Sequence, residues 1–153
     1  MIIKSITLNN YRLYKGENTL SLSSSDEKNI VLISGENGFG KTTFLHSLIW
    51  CLYGKLMIEV EVEIRKDINS NGYNSFLRSN MNNDVISEFE RVINDEMRQS
   101  IKKKGYTPEI EHLRTLTTYS VTIEFSEVVI PSLPCTSIKI SRSYDIIQAK
   151  ESV

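Results

Sequence analysis

Ile30-Val31-Leu32-Ile33-Ser34-Gly35-Glu36-Asn37-Gly38-Phe39-Gly40-Lys41-Thr42-Thr43-Phe44-Leu45-His46-Ser47-Leu48-Ile49-Trp50-Cys51-Leu52-Tyr53 joins three segments of different character. Ile30 to Ile33 is a continuous apolar run, as expected of a strand buried on both faces. Thr42 to Leu52 places apolar residues at helical spacing. Between them, Gly35 to Thr42 fits the pattern G-x-x-x-x-G-K-[ST] without a mismatch. A strand, a glycine-rich loop and a helix in this order are what a phosphate-binding loop requires.

The residue types explain the chemistry. Gly38 and Gly40 have no Cβ, so the backbone can take positive φ and aim successive N–H groups at a phosphate. The first turn of the following helix adds unsatisfied donors and the positive end of its dipole. Lys41 is expected to reach the β and γ phosphates of ATP as the catalytic point charge, and the Thr42 hydroxyl to bind the Mg²⁺ that bridges them. A glycine-rich turn before a lysine can also be an ordinary helix entry. The flanking apolar run and helix favour the phosphate loop.

Composition bounds the rest. The 153 residues have room for one domain with a real core, and a hydrophobic fraction of 40% is ordinary for a globular protein. The net charge is −1, from 18 basic and 19 acidic side chains, so no global positive field marks a free-standing nucleic-acid binder. Cys51 and Cys135 have no CxxC partner or ligand cluster, which suits packing roles in a reducing compartment. The most apolar window, Phe44 to Ile58, is broken by His46, Ser47, Gly54 and Lys55 too early to span a bilayer. With no export signal visible at the N-terminus, the expectation is a cytoplasmic protein without a membrane role.

In chain order, Ile2 to Asn9 alternates, with Ile2, Ile6 and Leu8 on one face and Ile3, Ser5 and Thr7 on the other. Asn9 to Gly16 has turn residues at both ends, and Glu17 to Leu22 restores alternation through Leu20 and Leu22. Two antiparallel strands therefore precede the loop, whereas small P-loop kinases place it directly after their first strand. Ser23 to Asn29 reads as a polar surface connector.

Ile6-x-Leu8-x-Asn10-Tyr11-Arg12-x-Tyr14, then Gly35-x-Asn37-Gly38-x-Gly40-Lys41-Thr42-Thr43, then Leu52-Tyr53-Gly54 resembles the N-terminal lobe of the SMC-like ATPases, relatives of the ABC ATPases that act on DNA. The run Gly35 to Met57 is similar, more closely, to the SMC-like ATPases of bacterial DNA phosphorothioation, or DNA sulfur modification. The motif match covers Met1 to about Met57 and weakens beyond. The resemblance implies that Arg12 lies close to the bound nucleotide, the alternative being an exposed turn arginine. It also implies that Asn37 and Thr43 contact the nucleotide together with the rest of the loop, Glu36 and Phe39 included.

Lys55 to Thr118 reads as a helical insertion. Glu59 to Ile64 alternates like a strand, while Val60, Ile64 and Ile68 are spaced as on a helix ending at Gly72; the helix is favoured. Asp84 to Lys104 is an amphipathic helix, with Asp84 as the N-cap candidate, Val85, Ile86, Phe89, Val92, Ile93, Met97 and Ile101 on one face, and Gly105 as the stop. Lys102, Lys103 and Lys104 fit the cationic last turn of a helix better than a DNA-phosphate contact.

Tyr119 to Phe125 is a clean half-buried strand, and Ser137 to Tyr144 forms another beyond the irregular connector at Pro131 and Pro134. The pair resembles the strands that close the N-terminal lobe in SMC-like ATPases, with Arg142 near their end. The family's Q-loop glutamine, which senses the γ-phosphate and Mg²⁺, would on this resemblance be Gln148.

Hydrolysis in this class needs an aspartate at the end of an apolar strand, a glutamate that orients water, and a signature loop from a second subunit. None is recognisable. Val92-Ile93-Asn94-Asp95-Glu96 has two apolar residues before its acids and falls within a helix. His46 and His112 lack ligand partners at metal-binding spacing.

The expectation is thus an α/β P-loop NTPase: over residues 1–153, the N-terminal lobe of an ABC/SMC-like ATPase head, built of antiparallel strands and a Walker A strand-loop-helix, with the insertion at 55–118. The resemblance implies a C-terminal lobe of the same protein and an ATP-dependent head dimer. It also implies DNA and other Dnd-type DNA modification proteins as partners. The alternatives are an SMC-like DNA-repair ATPase, a nucleotide-gated DNA- or protein-binding module without turnover, and a small-molecule P-loop kinase.

Overall fold

The computed structural model describes residues 2–22, 30–102, 110–132 and 136–153. Five strands form one antiparallel sheet in the order β2-β1-β3-β4-β5: β1 is Ile2–Tyr11, β2 Tyr14–Ser21, β3 Thr118–Ser126, β4 Ser137–Asp145 and β5 Lys150–Ser152. Between β2 and β3 the chain runs through α1 (Lys41–Tyr53), a 3-10 turn at Gly54–Leu56, α2 (Met57–Val60), α3 (Val62–Asn71), α4 (Tyr73–Ser79), α5 (Asn83–Lys102) and α6 (Ile110–Thr117). Strands and helices thus form an α/β fold.

The alternation in β3 does what period-two patterning requires. Tyr119, Val121, Ile123 and Phe125 are buried, and the residues between them are half-buried. The opposite face is a polar ladder in which Lys4 pairs with Glu124 at 2.9 Å, Thr7 with Thr19 at 2.9 Å, and Thr122 with Ser141 at 2.8 Å. Helix α1 packs against β3 and β4 on the apolar side. The centre of that contact is an aromatic cluster, with Trp50 5.2 Å from Tyr119 and 6.0 Å from Tyr11, and Tyr119 5.8 Å from Tyr144, measured between ring centroids. Such offset and tilted pairs add to the area burial of four large rings.

Strand β1 departs from its expected phase. Its register against β3 shifts between Ile3, opposite Phe125, and Ser5, opposite Glu124. An extra residue in one strand of an antiparallel pair reverses which face the preceding side chains take. Ile3 therefore packs against the core with Ile6 and Leu8, while Ile2 is exposed.

Ile30 to Ile33 is a second correction. The run carries no regular structure, pairs with none of the five strands and is exposed, Ile30 at 84% and Leu32 at 86%. An apolar run becomes a buried strand only where a ladder partner lies alongside it. Here none of the five strands takes the run as its partner.

The helical reading of Glu59 to Ile68 holds only from Val62: the backbone is extended at Glu61, Val60 ends α2 and is exposed, while in α3 Ile64 and Ile68 are buried and Gly72 caps the C-terminus with φ 83° and an N–H bond to Ile68 O at 2.8 Å. Helix α5 starts one residue earlier than expected, and its cap is Asn82 rather than Asp84: Asn82 Oδ1 accepts from the N–H groups of Asp84 and Val85 at 3.1 and 3.2 Å. Lys103, Lys104 and Gly105 lie outside the described residues, as do Pro134 and Cys135.

Candidate phosphate-binding site

The loop before α1 has the backbone that its glycines permit. Gly38 has φ 89° and Gly40 φ 91°, both in the left-handed region. A Cβ on Gly40 would lie 3.2 Å from Tyr14 Oη and 3.5 Å from Leu13 Cδ1, so the β1–β2 turn closes on the loop at this point. The Tyr14 hydroxyl donates to Gly40 O at 3.5 Å.

Helix α1 begins at Lys41, and its N-cap, Gly40, offers no capping side chain. The first intrahelical bond is Phe44 N–H to Gly40 O at 2.8 Å, so the N–H groups of Lys41, Thr42 and Thr43 precede the ladder at the positive end of the dipole. The Lys41 ammonium lies inside the arc of the loop, donating to Gly35 O at 2.6 Å and Glu36 O at 2.8 Å. Phe39 N–H donates to Glu36 O at 3.4 Å, closing the turn between them.

Two cavities flank Lys41. One, of about 180 Å³, is lined by Leu13, Asn37, Gly38, Gly40, Lys41, Thr42 and Thr43. The other, of about 340 Å³, lies between the loop and the β1–β2 layer, where Ile6, Leu8, Tyr14, Phe39 and Phe44 give it an apolar wall. The first has the donors and positive charge for phosphate, and the second is the larger and more apolar. Gly35 and Glu36 hold the lysine through their carbonyls.

Arg12 sits in the same turn at φ 48°. Its N–H donates to Asn80 O and its Nε to Asn80 Oδ1, both at 2.7 Å, and its guanidinium lies 5.9 Å from the Phe76 ring centroid. Its charge reaches α1. Burial first, then Arg12, hold the His46 imidazole below its ordinary pKa, against the opposing carboxylates of Glu61 and Glu63. His46 is buried one helical turn after Thr42, and its Nδ1 has no hydrogen-bond partner among the described residues.

Gln148 lies elsewhere. It occupies the β4–β5 turn, its N–H donating to Asp145 Oδ1 at 3.0 Å, and it lines a cavity with Phe89, Ile93, Leu113 and Ile147. That cavity shares no lining residue with the two at the loop.

Sequence reasoning did not single out Leu13 and Tyr14 as walls of the site, or Asn80 as the partner of Arg12. Tyr14 and Gly40 are brought together by tertiary packing, and Arg12 and Asn80 are 68 positions apart, so no local pattern marks either pair.

An α/β domain that brings together an uncapped helix start, a glycine-bent loop and a lysine bonded to the loop's carbonyls has the parts that a nucleotide-binding domain needs. The AAA domain family model AAA_23 matches residues 5–150. The chain belongs to that family and is an SMC-like, ATP-binding AAA ATPase domain. No curated protein and no solved structure matches it. Among the described residues no helix is long and apolar enough to cross a membrane.

Proposed function

We propose that Gly35 to Thr43 is a Walker A loop that binds Mg²⁺-ATP, and that the chain is the N-terminal lobe of an ABC/SMC-like head that hydrolyses ATP when completed by a C-terminal lobe. The observation that carries the reading is Lys41 held within the loop at an uncapped helix start, beside a donor-lined cavity. Phosphate oxygens would take over the ammonium protons now shared by Gly35 O and Glu36 O, and the N–H groups of the loop and first turn would receive them. The Thr42 hydroxyl would hold the cation, which when bound supplies charge neutralisation between the β and γ phosphates. Arg12, whose side chain here bonds Asn80 and lines neither cavity, would turn from there to reach the nucleotide. The apolar wall of the larger cavity would take the base and sugar side of the nucleotide.

The exposed run Ile30 to Ile33 supports completion by a second lobe, since four contiguous apolar residues without a ladder are a surface that a further strand would cover. By its likeness to DNA sulfur modification protein DndD over Gly35 to Met57, the completed head would form an ATP-dependent dimer. It would act on DNA in the cytoplasm, together with other Dnd-type DNA modification proteins.

The test is ATP binding and hydrolysis by this chain with and without the C-terminal lobe of the same protein. Turnover confined to the reconstituted pair and lost in Lys41→Ala is the expected result. Turnover by the lone chain, or turnover that survives Lys41→Ala, would overturn the reading.

A further inference from the structure

A polar side chain interrupts the apolar face of the sheet at the β2 edge. In the β1–β2 pair Ile6 stands opposite Leu20, and Leu8 opposite Asn18. Residues directly opposite in an antiparallel pair share a face, so Asn18 lies on the side that Ile6 and Leu8 bury, with Gly16 and Leu20 as its same-face neighbours along β2. Helix α1 packs against β3 and β4, and this end of the face borders the cavity of about 340 Å³, which Asn18 lines. A leucine would continue the apolar pattern there. An amide needs a different account.

The amide is held in one orientation. Asn18 Nδ2 donates to Lys15 O at 3.0 Å and to Gly16 O at 3.1 Å. Turning it over would set Oδ1 against both carbonyls, acceptor against acceptor. Oδ1 itself has no donor among the described residues, so what Asn18 offers a ligand is an acceptor. The other walls define the kind of ligand. Tyr14, Phe39 and Phe44 supply aromatic surface suited to a flat ring, and Lys41 lines both this cavity and the smaller, donor-lined one. A molecule with its phosphates at Lys41 and a flat ring among the aromatic side chains brings the edge of that ring to the β2 wall.

We propose that Asn18 is a specificity-determining residue for the base, its Oδ1 accepting from the 6-amino group of adenine and turning away the 6-oxo group of guanine. This rests on the ATP-binding reading above, which places the base in this cavity. Adenine presents a donor where guanine presents an oxygen acceptor, and an amide that cannot turn over has no donor to give that oxygen.

The experiment measures the affinity of the 153-residue chain for ATP, GTP and ITP, each carrying a fluorophore on the ribose, with Mg²⁺ present. Hypoxanthine has the 6-oxo group of guanine without its 2-amino group, so ITP separates the two edges. The parent chain is expected to favour ATP over both others roughly tenfold, the order of one hydrogen bond made or lost in a cavity. Asn18→Leu, which suits its apolar neighbours, should bind all three with the parent's affinity for GTP. Asn18→Ala gives the same comparison where the leucine variant does not fold. The ratio of affinities is the readout, because a general loosening of the fold lowers all three together. A folded variant that keeps the parent's ratio would overturn the proposal, as would a parent that does not discriminate or that binds ITP as it binds ATP. In each of those cases, binding that Lys41→Ala abolishes would leave the ATP-binding reading standing. No binding of any of the three by the parent would bring down both.

Discussion

The Arg142 guanidinium occupies the space that a side chain on Gly54 would need. A Cβ there would lie 2.5 Å from Nη1 and 2.8 Å from Cζ of Arg142. Gly54 ends α1, its N–H bonded to Trp50 O, with φ 54° and ψ −129°. Arg142 cannot simply swing aside: its Nε donates to Cys51 O at 3.1 Å and its Nη1 bonds Glu151 at 2.9 Å, an anion that Tyr73 Oη also reaches. A cation bonded to a last-turn carbonyl is also favoured by the helix dipole. Gly54→Ala is therefore expected to cost roughly 2–4 kcal/mol, from a disfavoured backbone and a displaced ion pair. Chemical denaturation checks this, with Gly16→Ala as comparison, since Gly16 also has positive φ but nothing within 4 Å of its Cβ position. Equal losses at the two sites would remove Arg142 from the explanation.

Alkaline pH should unfold the chain through its buried phenols. Burial pushes Tyr11 up to about 12, against the attraction of Arg12, and pushes Tyr119 and Tyr73 above the ordinary tyrosine value too, with Glu151 adding to the shift at Tyr73. A raised folded-state pKa means that the native state keeps protons that the unfolded chain releases. The contribution is present in full below pH 10 and is lost as pH rises towards and through 12. For Tyr11 this amounts to about 2–3 kcal/mol. Its hydroxyl has no partner among the described residues, so Tyr11→Phe should be near neutral at pH 7 and flatten the loss between pH 10 and 12. Urea midpoints for parent and variant at the two pH values decide it; parallel slopes would refute it.

Much of the fold could be read because the deciding signals were local. In β3 every second residue from Tyr119 to Phe125 is apolar and one face is buried, so period two sufficed. The glycine-rich loop before α1 is contiguous, and Gly38 and Gly40 take the positive φ that their residue type permits. Errors arose where a distant partner decides. The shift between Ile3 and Ser5 depends on the register against Phe125 and Glu124. Asn82, Asn83 and Asp84 can all cap a helix; Asn82 does so while also anchored to Asn10 and Arg12. The run Ile30 to Ile33 announces burial but cannot name what would bury it. At the site, the loop was legible and its walls, Leu13 and Tyr14, were not, because folding alone brings them to Gly40.

Cys51 should be inert while the chain is folded. It is fully buried in α1, its Sγ 3.3 Å from Val121 O, and burial pushes the thiol up to about 11 although Arg142 pulls it down. Little thiolate then exists near pH 8, and reagent has no path to it. In a Cys135→Ser chain, modification by an aromatic disulfide at pH 8 is expected to follow the rate of opening and to become immediate in denaturant. Immediate reaction under native conditions would show that α1 does not stay docked on β3.

The exposed run before the phosphate loop makes the last prediction. Ile30 and Leu32 contribute almost nothing to the core of this chain, so replacing both with serine should leave its stability within about 0.5 kcal/mol. Ile123, fully buried in β3, gives the opposite case, and Ile123→Ala should cost about 2–5 kcal/mol in lost transfer energy and cavity. Denaturation midpoints compare the two directly. The serine pair has a second readout, because on the proposed completion by a C-terminal lobe Ile30 and Leu32 become buried when that lobe binds. Binding of the lobe should then weaken in the serine variant while the isolated chain melts as before. A serine variant that loses as much stability as Ile123→Ala would mean that the run is already buried in this chain, and the case for a missing partner strand would fail with it.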